Sequence, residues 1–285
     1  METFLFQIGN GLIVGSVYVL IALGLNLIWS ITDIPDFAQG SYYVFAAYVS
    51  YFAVTLASFP FVLALLLGMA VGAVISYLSE RLLYRRWQGQ VGGMRVQLLC
   101  AIALFFLIAN VANALWTSKA RIFPDYWEGV IPGTGYSYER VMVLVVSAVL
   151  FLLMYIFIMK TRTGKAIRAT SQDREMAQVL GINISTVNSV VFLLGGALSG
   201  AAAVLVAPLY TVFPTMGDLP LLKALVVVIL GGFGTVAGVL ICGLGLGVIE
   251  ALGAIYLSSA YQHGYAFFVL LLVLMFKPKG LFGRV

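Results

Sequence analysis

The chain has 285 residues, of which 62% are hydrophobic and 9% charged, and a formal net charge of +5. A soluble domain carries about 25% charged residues, and one this poor in them would present a sticky apolar exterior, so a water-soluble globule is excluded. The 16 basic residues are too few and too dispersed to track phosphates, which excludes a nucleic-acid partner and leaves the lipid bilayer as the surrounding medium.

The first six residues include Glu2 and no cation, and the apolar run behind them outlasts a signal-peptide core, so the first segment is expected to stay as a span. Apolar runs near 4–31, 41–59, 61–80, 98–117, 141–159 and 186–207 predict membrane helices. Ser58 and Pro60 mark a tight turn that makes the second and third of them antiparallel neighbours. Further on, Gly231, Gly232, Gly234 and Gly238 interrupt the pattern. The reading there is a short helix from about 221 to Leu230, a glycine break, a span from Val236 to Leu257 and a last one from Gln262 to Phe276. The expected fold is an all-α membrane protein, a polytopic bundle of about eight or nine transmembrane helices with broken helices near a translocation path, in one domain over 1–285.

The G-x-x-x-G spacing at Gly11/Gly15, Gly68/Gly72, Gly196/Gly200, Gly234/Gly238 and Gly243/Gly247 predicts close helix packing inside the chain. Cys100 and Cys242 sit in separate apolar runs and suggest neither a disulfide framework nor a metal site.

Orientation follows from the cations. Segment 81–97 holds Arg81, Arg85, Arg86 and Arg95; segment 160–185 holds Lys160, Arg162, Lys165, Arg168 and Arg174; the tail holds Lys277, Lys279 and Arg284. An alternating path puts all of these on one face, which is expected to be cytoplasmic. Loop 118–139 mixes Lys119 and Arg121 with Asp125, Glu128 and Glu139, carries Tyr126, Trp127 and Tyr138 as interface aromatics, and belongs outside. The N-terminus is then outside and the C-terminus cytoplasmic, and an odd number of crossings fits both.

No phosphate-binding loop, H-E-x-x-H, nucleophile elbow or paired-carboxylate site occurs, so no catalytic residue and no bound cofactor or metal is expected. His263 is read into a short outer loop. Ionisable groups inside spans are few; Glu250 is the clearest, and Lys223 lies near a helix start. An ion- or proton-coupled carrier would use Glu250 and Asp36 as coupling groups, whereas a carboxyl near a helix end can simply face water.

Two features carry more. The first is a pair of broken apolar segments at mirrored places: Asp36, Phe37, Gln39, Gly40 and Ser41 near the start, and Gly231, Gly232 and Gly234 near the end. Freed backbone at that depth must face protein or a water-filled cavity, so these residues are candidates for the translocation path; the plainer alternative is a turn and a packing device. The second is the polar stretch 160–185. Ser171 to Leu180 reads as a short amphipathic helix with Ser171 as N-cap, Asp173 and Glu175 in its first turn, an apolar face of Met176, Val179 and Leu180, and Gly181 as C-cap. Such a helix suits a docking knob for a partner's groove, or one lying on headgroups.

The stretch Gly164–Ala169, Asp173–Ala177 and Leu180–Asn183 resembles the cytoplasmic coupling loop of branched-chain amino acid ABC transporter permeases. The run Leu230–Gly238 resembles that family's glycine break, Lys277–Arg284 its C-terminal signature, and Asn10–Asn26 its first span. Where the family has Asn-Phe-Ala-His-Gly-Glu, this chain has Asp36-Phe37-Ala38-Gln39-Gly40-Ser41, and the three changed polar positions leave the solute open. The resemblance implies an importer permease of the bacterial inner membrane, working by alternating access. Its implied partners are a second homologous permease, two cytoplasmic ATPase subunits that bind and hydrolyse ATP, and an extracytoplasmic substrate-binding protein. ATPase coupling would fall to Arg168, Asp173, Met176, Ala177, Leu180 and Gly181, with Ala177 small enough to let the helix approach a partner's groove.

Overall fold

The computed structural model describes residues 2–283 except 89, 91, 118, 125, 128 and 132–134, so Arg284 of the tail and Asp125 and Glu128 of the acidic loop lie outside the described residues. The described residues form α1 (Glu2–Thr32), α2 (Gln39–Ala57), α3 (Phe61–Leu82), α4 (Gly93–Trp116), α5 (Tyr138–Lys160), α6 (Arg162–Gln172), α7 (Arg174–Val179), α8 (Ile184–Val206), α9 (Asp218–Gly231), α10 (Val236–Tyr256) and α11 (Gln262–Phe276). Seven stretches among the described residues are long and apolar enough to cross a membrane, the last of them Ser259–Phe276, in which a 3-10 turn precedes α11. The two other sequence-predicted crossings are α2, made less apolar by Gln39 and four tyrosines, and α9, which has only 14 residues. His263 lies in the first turn of α11 rather than in a loop, because the helix starts at Gln262.

Two helix sets share one pattern. In α1–α4 and again in α8–α11, a long helix is followed by a break, a shorter helix, a tight turn, a long helix and a last one. The sets run in opposite senses, the arrangement of an inverted repeat. Their matching partners pack on glycine. A Cβ on Gly72 of α3 would collide with the Gly196 carbonyl of α8, and a Cβ on Gly247 of α10 would collide with the Gly11 carbonyl of α1. Without side chains there the backbones close up, which in lipid supplies the contact that water would otherwise drive. Four of the five sequence-predicted glycine pairs are spent on these two crossings.

The breaks bring both short helices to the same depth. A Cβ on Gly40, at the start of α2, would stand 3.2 Å from the carbonyl of Gly217, the residue before α9. Gln39 lies on the carbonyl of Ile21, eleven residues or about 16 Å up α1 from Thr32. Both helices therefore begin inside the bundle.

The connections α3–α4, α5–α8 and α9–α10 and the tail gather at one end, here the basic end. Tyr84 meets Asp36, Asn188 meets Gln88, Arg174 meets Ile31 and Leu281 meets Leu230. The opposite end joins the start of α1 to the α4–α5 loop through Tyr136 on the Phe6 carbonyl (2.7 Å), and that loop to the α2–α3 turn through Tyr126 on the Phe59 carbonyl (3.2 Å). The sequence-predicted sorting of basic and acidic loops thus corresponds to two physical ends.

Candidate functional site

At the basic end, Thr161 starts α6 by accepting the Gly164 N–H at 3.0 Å. The face bearing Gly164, Ile167 and Thr170 is buried. The chain does not continue as one helix. Asp173 adopts an extended conformation, φ −152° and ψ 107°, and its carboxylate accepts the Met176 N–H at 2.9 Å. Asp173, not Ser171, is therefore the N-cap; Ser171 sits in the last turn of α6 with its hydroxyl donating to the Arg168 carbonyl. Both residues can cap a helix, and the one whose backbone leaves the helical region does so.

Helix α7 is held against the bundle by Arg174, which donates to the Ile31 carbonyl at 3.4 Å. Its outer face is Met176, Val179 and Leu180, with exposures of 55%, 81% and 73%; Glu175 lies in its first turn. Ala177 is 2% exposed and faces this chain's own interior, which corrects its assignment to the partner-facing side. The positions i, i+3 and i+4 share a face, and i+1 lies about a quarter-turn round from i. Gly181 ends the helix with φ +84° and its N–H on the Gln178 carbonyl, as a C-cap glycine does.

The first broken segment is buried. After Asp33, at φ +59°, Asp36 accepts the Ala38 N–H at 3.1 Å and the Tyr84 hydroxyl at 2.9 Å. Gln39 donates to the carbonyls of Ile21 (3.3 Å) and Gly195 (3.4 Å), and Ser41 to that of Phe105 (2.9 Å). Phe37 is half-buried, and Gly40 is walled by Gly217 and Leu221. Gln39 and Ser41 thus tie the start of α2 to mid-helix carbonyls of α1, α8 and α4, while Gln39 Oε1 has no hydrogen-bond partner among the described residues.

The second sequence-predicted break, Gly231 to Gly234, is the tight turn between α9 and α10 at the basic end, beside α6. The counterpart of the first break in the repeat is the segment 207–217 ahead of α9, not these glycines. Gly232 and Gly234 have φ of +84° and +74°, and the Gly234 N–H reaches Asn26 Oδ1 at 2.9 Å. Thr235 donates back to Gly231 and Gly232 at 2.7 Å each. The tail covers this turn, with the Leu281 N–H on the Leu230 carbonyl at 2.7 Å. Between the turn, the tail, α6 and the ends of α1 and α5 lies a cavity of about 970 Å³.

One cluster went unread in the sequence. Lys223 of α9 and Glu250 of α10 form a buried ion pair at 2.7 Å, and the Tyr18 hydroxyl of α1 joins it at 2.6 Å from Lys223 Nζ and 2.9 Å from Glu250 Oε2. Glu250 is 1% exposed, so the reading of a water-facing carboxyl is wrong. Opposite charges on two apolar helices were the available signal; the hydroxyl, more than two hundred residues away in sequence, offered none.

An inverted repeat of membrane helices with short helices starting at depth, and an apolar helix face presented on a basic connection, define a polytopic solute permease. The chain belongs to the family of branched-chain amino acid transport system permease components, whose model matches residues 7–276. It is 34% identical to the high-affinity branched-chain amino acid transport system permease protein BraD of Pseudomonas aeruginosa, over 99% of this chain and 96% of that protein. It is 32% identical to LivH of Escherichia coli K12, with the same shares covered, and 27% identical to the ribose import permease protein RbsC of that organism, over 93% of this chain and 83% of that protein.

Proposed function

We propose that this permease works in an ATP-driven importer, with its basic end in the cytoplasm, and passes a branched-chain or related aliphatic amino acid inward by alternating access. The observation that carries the coupling reading is the exposed trio Met176, Val179 and Leu180, capped by Asp173 and Gly181 and tied through Arg174 to the end of α1. A partner ATPase docking there would push on α1, whose apolar window is the most buried among the seven candidate spans. ATP binding and hydrolysis belong to two such ATPase subunits; a second permease and an extracytoplasmic substrate-binding protein complete the assembly. The positive-inside tendency supports the orientation. The names of the amino-acid permeases at 34% and 32% identity favour an amino acid over a sugar.

The Lys223–Glu250 pair argues against a proton- or sodium-coupled carrier, because the carboxylate's charge is already met by an ammonium at 2.7 Å. The test uses Leu180→Asp, which would place an unpaired charge in the ATPase groove at a cost of about 3–5 kcal/mol. The variant should insert normally yet lose co-purifying ATPase and ATP-dependent leucine uptake. Wild-type ATPase recovery would sink the coupling assignment. Uptake of ribose but not leucine by the assembled wild-type importer would sink the solute.

A further inference from the structure

The cavity at the basic end is not used by the transport reading. Tyr155 and Met159 of α5 form one wall, Phe233 and Val236 the other, and Asn26 and Ser30 of α1 the floor. Its charged lining residues are Arg168 from α6 and Lys279 from the tail, and no acidic residue lines it among the described residues. Arg168 has poor company there. Its Nη1 lies 3.3 Å from the Met159 sulfur, a weak acceptor, and its buried Nε has no hydrogen-bond partner among the described residues. The single ion pair among the described residues is Lys223–Glu250, so neither cavity cation is met by a carboxylate.

A guanidinium with an unpartnered Nε–H, an ammonium lining the same cavity and no anion on the walls among the described residues is the chemistry that receives an oxyanion, and a guanidinium takes phosphate in a two-pronged geometry. The α5 wall continues into an apolar surface exposed at Leu152, Leu153 and Ile156, on the side where an acyl chain would lie. We propose that this cavity binds the phosphate of an anionic phospholipid headgroup, clamped by Arg168 and Lys279, with the acyl chains along α5. Basic pockets between membrane helices recognise such headgroups, and a free phosphate would use the same two cations without the apolar wall. Because Arg168 belongs to α6, the occupant would brace the coupling helices against α1, α5 and α10. Arg168 then acts inside the chain and not at the ATPase surface.

The experiment is native mass spectrometry of the full permease chain, transferred from nanodiscs of phosphatidylglycerol or of phosphatidylcholine. Retention of phosphatidylglycerol over phosphatidylcholine is expected, reduced roughly five-fold for each cation removed in Arg168→Gln and Lys279→Gln, with Arg168→Lys intermediate. Lys279 is exposed, so its variant keeps the test alive if Arg168→Gln fails to fold. A parallel titration with excess inorganic phosphate separates the sources. No displacement of the lipid supports the headgroup; displacement together with phosphate binding on its own would overturn the lipid assignment in favour of a free anion. Equal retention of both lipids, or unchanged retention in Lys279→Gln and in whichever Arg168 variant folds, would overturn the site.

Discussion

Helices α1 and α5 are both long and strongly apolar, with mean hydropathy over their best windows of 2.2 and 3.0, yet 89% of the first window is buried in the protein and only 22% of the second. The more apolar helix is the less buried one. Hydropathy reports compatibility with hydrocarbon, which both environments provide, and is blind to whether the neighbour is lipid or protein. Glycine tells them apart. Helix α1 carries Gly11, Gly15 and Gly24, each against another helix's backbone, and α5 carries none. Bulky side chains suffice against fluid acyl chains, whereas a packed partner demands a groove.

That contrast can be broken most forcefully at the α3–α8 crossing. Gly196→Leu should cost more than about 3 kcal/mol, since the new side chain meets the Gly72 backbone and not a movable tip. Loss of monodisperse protein on size-exclusion chromatography is the expected result, and a wild-type profile would show that the crossing is not tight. Next comes Lys223→Met, which strands Glu250 beside Tyr18 and should cost about 3–5 kcal/mol. Adding Glu250→Leu should recover much of the melting temperature; no recovery would mean that the pair matters for more than its own charge balance.

Ser41→Ala removes one hydrogen bond to α4 and should cost about 1 kcal/mol. If thermal stability falls by that amount and uptake holds, the first break is a structural joint; a collapse of uptake at nearly unchanged stability assigns it to the path. The smallest effect belongs to the lipid side. Val149→Leu on α5, at a half-exposed position, should stay within about 0.5 kcal/mol. A larger loss there would reveal a protein neighbour, and the second permease would be the first to test by crosslinking.

The helices and the glycine crossings were readable because each depends on a local pattern, twenty apolar residues or two glycines a turn apart. The glycine run was readable as a turn, since Gly232 and Gly234 adopt the positive φ that marks one, but not as the mirror of the first break, which is the segment 207–217. Helices α6 and α7 were half-readable. Ser171 and Asp173 are both good caps two residues apart, and only the extended backbone at Asp173 chooses between them. Ala177 looked partner-facing because a small residue fits either a foreign groove or its own bundle, and a helix of six residues has too few positions to fix its facing. The Tyr18–Lys223–Glu250 cluster and the cavity join segments far apart in the chain, so no window of sequence contains them.

The glycine crossings also set a clock. Gly11 and Gly15 of α1 meet Gly247 and Gly243 of α10, so more than two hundred residues must be synthesised between the two halves of one contact. At about 5–20 residues per second, that interval lasts on the order of ten seconds to under a minute. During it the grooved face of α1 has only lipid, earlier helices or an insertion factor to lie against. The groove that lets α1 pack backbone to backbone in the finished bundle is also a surface left open to a wrong neighbour while the chain is being made.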